Sequence, residues 1–327
     1  MPEDARNARP ALPRIETQRH LQGRASIEGC RTSSANRQDG FSLLSEVLPR
    51  HRRMYGMARD HDTEDDMDLG LKGRKAAISG ASDGLGYAAA LALADEGCDV
   101  AISARGQEQL DKAAAAIGAR GVNAVGIACD MSSEEGCARF VDKAAEGLGG
   151  IDILINCVGG MTPGNLDSLT GDNWDEIVNR NLMAYVHTTK AALPHLEKSD
   201  AGRVLNISGI SGKQLMPGSF STAIPNAGIN AFTKLMAGEL AARGILVNNL
   251  CPGLVNTPRW TPRREAMAKM RGVTADEVEK QFAANAMLGR WGRPEEIGDV
   301  AAFMVSPRNS YMTGSTVEVC GGWGKYF

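Results

Sequence analysis

Tyrosine is scarce in this chain: five occur in 327 residues, and none lies between Tyr185 and Tyr311. Aromatic residues make up only 5% of the whole, so any core must be built mainly from aliphatic side chains. The seven cysteines include no C-x-x-C pair, which removes the usual spacing of a zinc or redox site, and no metal site is expected. Their odd number, scattered through apparent strands and helices, reads as reduced thiols of a cytoplasmic protein. No apolar run approaches the roughly 20 residues that span a bilayer. Charge of either sign is not in excess: 36 Lys and Arg stand against 39 Asp and Glu, a net charge of -3. That balance makes no electrostatic case for nucleic acid or a membrane surface as a partner.

Residues 1–66 lack lysine altogether, although they hold 11 Arg and 11 Asp and Glu, with no helical or strand periodicity. The apolar cluster 41–48 is too short for a signal-peptide core, and a mitochondrial presequence would be poor in acids. The segment is expected to be a disordered extension or a mis-assigned start; a regulatory or assembly arm is the other reading. After an acidic stretch at 60–66 a conventional domain, 67–327, begins. Short apolar runs at 76–79, 100–103, 124–128, 151–157, 204–208 and 246–251 read as strands. Helix-like segments at 87–96, 108–117, 134–148, 174–196 and 229–243 separate them. Apolar strands alternating with helices imply an α/β protein: a single doubly wound parallel sheet, a Rossmann fold, with helices on both faces.

Between the first strand and the first long helix lies Ser79-Gly80-Ala81-Ser82-Asp83-Gly84-Leu85-Gly86. Glycines there permit a tight turn and let backbone N–H groups approach a pyrophosphate at the helix N-terminus. With this Gly-x3-Gly-x-Gly spacing the chain resembles the short-chain dehydrogenase/reductase family, and in particular its 3-oxoacyl-carrier-protein reductases. The resemblance covers about 250 residues. Ser79 stands for the family's Thr, Asp130 for the acid that contacts adenine, and Asn156-Cys157-Val158-Gly159 for its Asn-Asn-Ala-Gly. Asn181 matches the active-site Asn of the central helix, and Pro252-Gly253-Leu254-Val255-Asn256-Thr257 the segment that meets the nicotinamide. Gly292 to Ile297 and the terminal Val319-Cys320-Gly321-Gly322 complete the match. The resemblance therefore implies a cofactor site made by Ser79, Gly80, Ser82, Asp83, Gly84, Leu85, Gly86, Arg105, Asp130, Asn156, Gly159, Pro252, Gly253 and Thr257. At the end of the second strand Ala104 replaces the Asp of NAD users, and Arg105 is placed to pair with a 2'-phosphate. Asp83 stands where many NADP users carry a cation. NADP is favoured over NAD.

Family members work with Ser, Tyr and Lys, the last two in a Tyr-x3-Lys unit. The register set by Asn226-Ala227-Gly228 and Phe232-Thr233-Lys234 puts Gly209, Thr222 and Asn226 at those positions. All three catalytic groups are replaced. An aliphatic hydroxyl is a far weaker acid than a tyrosine, whose pKa starts near about 10, and Asn226 carries no charge to shift it. Thr222 is expected to cap a helix beginning near Ala223, which keeps Pro225 in its first turn. The candidate catalytic set is Asn181, holding a water or a helix carbonyl, with Thr222 or Ser211 orienting the substrate oxygen and Asn226 on the ribose. Lys213 is a candidate replacement cation, and plain turn or surface roles are the alternative for it and Ser211. Tyr185 and His187 are expected to face the core or a subunit contact, and Cys157 to be a small buried residue.

Residues 258–290 should form the substrate lid. Its Arg259, Trp260, Arg263, Arg264, Lys269 and Arg271 would suit an anionic or acyl-carrier substrate, a solvated helix face being the plainer reading. The aromatic tail from Trp323 to Phe327 suggests a subunit contact, and with it a homodimer or homotetramer. The expected function is an NAD(P)-dependent oxidoreductase acting on a carbonyl, an alcohol or a polarised double bond of a small molecule through an atypical proton relay. A non-redox lyase, isomerase or cyclase, and a catalytically silent dinucleotide-binding subunit, are the alternatives.

Overall fold

Successive side chains of a strand point to opposite faces of its sheet, so a strand apolar at every position needs cover on both sides. The computed structural model, which describes residues 67–216 and 218–323, meets that need. Seven parallel strands run in the order β3-β2-β1-β4-β5-β6-β7. They are β1 (Lys75–Ser79), β2 (Asp99–Ala104), β3 (Ala124–Ala128), β4 (Ile153–Asn156), β5 (Arg203–Ile207), β6 (Leu246–Pro252) and β7 (Thr316–Val319). The helices are α1 (Gly84–Asp95), α2 (Gln107–Gly118), α3 (Glu134–Leu148), α4 (Gly171–Val178), α5 (Ala184–Leu196), α6 (Phe220–Leu240), α7 (Trp260–Arg271), α8 (Ala275–Ala283) and α9 (Pro294–Val305).

The core divides as the alternation requires. Ala76, Ile78, Val100, Ile102, Ile153 and Ile155 pack under Leu93 of α1, Leu110 of α2 and Ile297 of α9. Their neighbours Ala77, Ala101, Leu154 and Val204 face Phe140 of α3, Tyr185 of α5 and Ile229 of α6. The α/β reading of a doubly wound sheet with helices on both faces is what the structure shows.

Three elements differ from expectation. β7 was not foreseen: Thr-Val-Glu-Val is short, polar at alternate positions and only half-buried along its length. The helix expected over 174–196 is broken, with α4 and α5 separated by a π-helical segment at Asn179–Met183. That wider turn, a device often found at functional sites, carries Asn181. Finally, α6 starts at Phe220 with Ser219 as its N-cap, so Thr222 lies inside the first turn rather than capping it. Pro225 is consequently the sixth helical residue and leaves the carbonyl of Ser221 without its i+4 donor. Asn181 Nδ2 donates to that oxygen at 3.1 Å, which is why the proline is tolerated there.

The readings of residues 1–66, and of the tail beyond Trp323, fall outside the described residues. Trp323 itself is only 4% exposed and packs on Phe282 of α8, ring centroids 6.5 Å apart. Its ring is buried within its own chain.

Candidate functional site

In an open parallel sheet the chain leaves each strand at its carboxyl end, and a crevice opens where neighbouring connections diverge to opposite faces. Here that point lies between β1 and β4, since β1 leads on to β2 on one side while β4 leads on to β5 on the other. The loops after these strands and β6 line a cleft with two connected halves that share Gly80, Asp83, Cys157, Val158, Gly159 and Arg259.

The outer half, about 490 Å³, runs past Ser82, Arg105 and Asp130. That volume lies within the roughly 300–1,000 Å³ of ordinary ligand pockets. The loop that floors the cleft is glycine at 80 and 86 because nothing larger fits. A β-carbon on Gly80, whose φ is +66°, would stand 2.8 Å from the Val158 backbone, and one on Gly86 would stand 2.6 Å from the Gly80 carbonyl oxygen. Asp83 takes the N-cap position of α1, but its carboxylate accepts no capping hydrogen bond, so the first-turn N–H groups have no side-chain oxygen on them. An uncapped, glycine-lined helix start is a cradle for an anion such as a phosphate. Asp130 accepts from the Ser132 N–H at 3.0 Å, and this bonding, with Arg105 adding a smaller attraction, holds its carboxyl below the ordinary value.

The inner half, about 200 Å³, contains Asn181, Thr222, Asn226, Ser208, Gly253 and Thr257, with Gly84, Leu85 and Gly86 at its edge. Thr222 and Asn226 lie four residues apart on one face of α6. Thr222 Oγ1 donates to the Ser219 carbonyl at 3.2 Å, and Asn226 Nδ2 donates to Ser211 Oγ at 2.9 Å. A β-carbon on Gly209 would lie 2.9 Å from Asn226 Nδ2. The structure thus brings positions 209, 222 and 226 together. Asn181, 6% exposed, accepts from the Gly160 N–H at 2.7 Å and donates to the Gly160 carbonyl as well as to Ser221. Its amide holds a helix carbonyl.

Four of the candidate residues do not line the cleft. Ser79 is fully buried and accepts from the Cys157 N–H at 3.1 Å, pinning β1 to β4. Asn156, also fully buried, donates to Thr189 and to Asn206 and so serves the sheet. Pro252 is buried as the last residue of β6, and Ser211 stands behind Asn226. Lys213 turns away to pair with Glu318 of β7 at 2.6 Å.

Tyr185, expected in the core, is 2% exposed, yet its ring also reaches the cleft wall. Its hydroxyl donates to the Ile207 carbonyl at 2.8 Å, and burial pushes its pKa well above the ordinary value. Cys157 lies on the same wall with its thiol pushed up to about 12 by burial, which leaves it unreactive. Of the basic and aromatic lid residues expected to suit an anionic substrate, Arg259, Trp260 and Arg263 line the inner half, whereas Arg264, Lys269 and Arg271 do not. Arg259 is the N-cap of α7, and Arg263 stands four residues further on, the spacing that brings two side chains to one side of a helix start.

A family model described as enoyl-(acyl carrier protein) reductase matches residues 80–324. The dehydrogenase/reductase SDR family member 4 of Oryctolagus cuniculus is 34% identical over 77% of this chain and 94% of its own length. The 3-oxoacyl-[acyl-carrier-protein] reductase FabG of Staphylococcus aureus is 29% identical over 76% of this chain and 97% of its own. Among solved structures, L-sorbose reductase from Gluconobacter frateurii, complexed with NADPH and L-sorbose, superposes with a TM-score of 0.77 at 28% identity. That match covers 80% of this chain and all of the reductase.

Proposed function

The chain belongs to the short-chain dehydrogenase/reductase family, and we propose that it is an NADP-dependent oxidoreductase of a small-molecule carbonyl or alcohol with a rearranged proton relay. The observation that carries the reading is the cleft itself: an uncapped helix start over a glycine floor, with Arg105 and Asp130 at one end and Thr222 with Asn226 at the other. The 3-oxoacyl-carrier-protein reductase FabG and the NADPH-bound L-sorbose reductase support it from outside.

The Gly80–Gly86 loop and the N-terminus of α1 would hold the diphosphate, Asp130 the adenine, Arg105 a 2'-phosphate, and Thr257 with Gly253 the nicotinamide end. When bound, the dinucleotide supplies or accepts a hydride at the substrate carbon. The chain's own part is to orient the substrate oxygen and handle its proton. Thr222 orients that oxygen when its hydroxyl turns from the Ser219 carbonyl, which it bonds at 3.2 Å, and Ser211 reaches that position only if Asn226 gives way. Neither is an acid of useful strength near neutral pH. Tyr185 does not take over, because its proton is committed to the Ile207 carbonyl and its pKa is raised. The proton therefore comes from water that Thr222 and Asn226 hold in the inner half.

Among the described residues no helix is long and apolar enough to cross a membrane, and the six cysteines there are free thiols. A cytoplasmic enzyme fits these facts. We also assign it as a homo-oligomer, because α6 exposes an apolar stripe formed by Ile224, Ala227, Ala231 and Leu235.

Fluorescence titration should show NADPH binding more tightly than NADH. Arg105→Gln should weaken NADPH about tenfold, one charge-assisted contact of roughly 1.4 kcal/mol, without changing NADH. A protein that binds neither nucleotide would overturn the reading. Turnover without any change in nicotinamide absorbance would replace it with lyase, isomerase or cyclase chemistry in the same cleft.

A further inference from the structure

Arg259, the N-cap of α7, and Arg263 within α7 present two guanidinium groups to the cleft, and α7 presents no acid there to neutralise them. Elsewhere in the lid and its flank, arginines are committed. Arg264 is paired with Glu279, and Arg290 and Arg293 both meet Glu296. Arg271 rests on Gln281 and the Phe282 ring. Arg259 and Arg263 differ: among the described residues neither forms an ion pair. Arg259 Nη1 donates to the Gly159 carbonyl, at 3.0 Å, and the Arg263 guanidinium lies 5.4 Å from the centre of the Trp260 ring. Asp83 is the one acidic residue among those lining the inner half.

Like charges four apart on a helix repel, and a half-buried cation without a counter-charge is costly. Burial, and then the charge of Arg259, pull the Arg263 guanidinium below its ordinary value. An arrangement that loses stability in the free protein and faces the reaction site calls for an anion arriving with the ligand. The two residues are not equivalent in this respect. Arg259 lines both halves of the cleft, including the outer one proposed for the dinucleotide, whereas Arg263 lines the inner half alone, beside Thr222 and Asn226.

Resting on the oxidoreductase reading above, we infer that Arg263, with Arg259 beside it, binds the carboxylate of a small oxo acid or hydroxy acid, and that this protein selects such acids over neutral carbonyl compounds. The planar fork of a guanidinium matches a carboxylate bidentately, and Trp260 holds the Arg263 fork from one side. The carboxylate neutralises the pair while Thr222 orients the carbonyl or hydroxyl oxygen.

The test uses the full chain and two matched pairs of probes, acetoacetate and levulinate against their methyl esters. Calorimetry follows their binding to the protein alone and to the protein saturated with NADPH. Each acid should bind about tenfold or more tighter than its ester, the size of one charge-assisted contact. Arg263→Gln should erase that preference, Arg263→Lys should retain part of it, and NADPH affinity should stay within about twofold in both. Acids and esters binding alike to the wild type would overturn the inference, as would an Arg263→Gln variant that loses NADPH along with the acid. If wild-type protein prefers the acids but binds no NADPH, the anion site stands and the oxidoreductase reading falls. If it binds NADPH but shows no preference, the reverse holds.

Discussion

At Gly209 the backbone is extended, with φ -168° and ψ 154°, a conformation that any residue adopts. The obstacle to a side chain there is Asn226, whose amide nitrogen would lie 2.9 Å from the new β-carbon. Serine at 209 alone should therefore push Asn226 off Ser211 and achieve little. Changing all three positions removes the conflict and supplies a chemistry the present residues lack. A lysine at 226 brings a cation one helical turn from a tyrosine at 222, and a phenol near about 10 is within reach of its influence. A positioned acid is worth roughly 10²–10⁴-fold in rate. The variant Gly209→Ser/Thr222→Tyr/Asn226→Lys is accordingly expected to raise kcat/KM for ketone reduction by about two orders of magnitude or more. The decrease in NADPH absorbance with the methyl esters above is the measurement. A variant that binds NADPH yet stays inert would mean that position 222 does not stand over the reacting carbon.

The π-helical segment at Asn179–Met183 and the helix α6 depend on each other. Pro225 removes one backbone donor from α6, and the Asn181 side chain replaces it at the Ser221 carbonyl while gripping Gly160 from both sides. Stripping that amide leaves buried groups unpaired, a loss of about 1–3 kcal/mol each. Asn181→Ala should thus destabilise the protein by at least about 1–3 kcal/mol in urea denaturation. In a Pro225→Ala background the helix recovers its own N–H for Ser221, so the same Asn181→Ala change should cost less. A coupling of about 1 kcal/mol between the two sites is expected; strictly additive effects would show that the Asn181–Ser221 bond contributes nothing. Inner-half geometry is exposed to the same change, because Thr222 follows Ser221 on the chain.

Across the whole molecule, the parts legible in the sequence were those fixed by short-range pattern. Doubly apolar strands such as β1 and β4 announce a covered parallel sheet, and the glycines of 80–86 announce a turn that admits no β-carbon. β7 was hidden because half its residues are polar, and the π break because it leaves helical periodicity nearly intact. Ser79 and Asn156 were expected at the cofactor site because the resemblance to the family's motifs put them there; only the packing shows that the Ser79 hydroxyl accepts from Cys157 and that the Asn156 amide donates to Asn206 and Thr189. Arg263 was visible as a charge, but its direction depends on where α7 docks, a contact far away in sequence. The same long-range packing decides which face is left over for association. Trp323 is buried, and Leu235 remains 73% exposed and Ile224 48% exposed on α6. With Ala227 and Ala231 between them at helical spacing, they form one stripe whose small residues admit a second helix closely. A twofold axis along such a stripe sets it against its own copy, the self-complementary geometry of an isologous dimer. Leu235→Arg places a like charge on both sides of that axis and should dissociate the assembly, with sedimentation velocity reporting a fall toward the monomer mass. Leu235 does not line the cleft, so NADPH binding should survive in the dissociated form; a wild-type protein that already sediments as a monomer would remove the proposed interface.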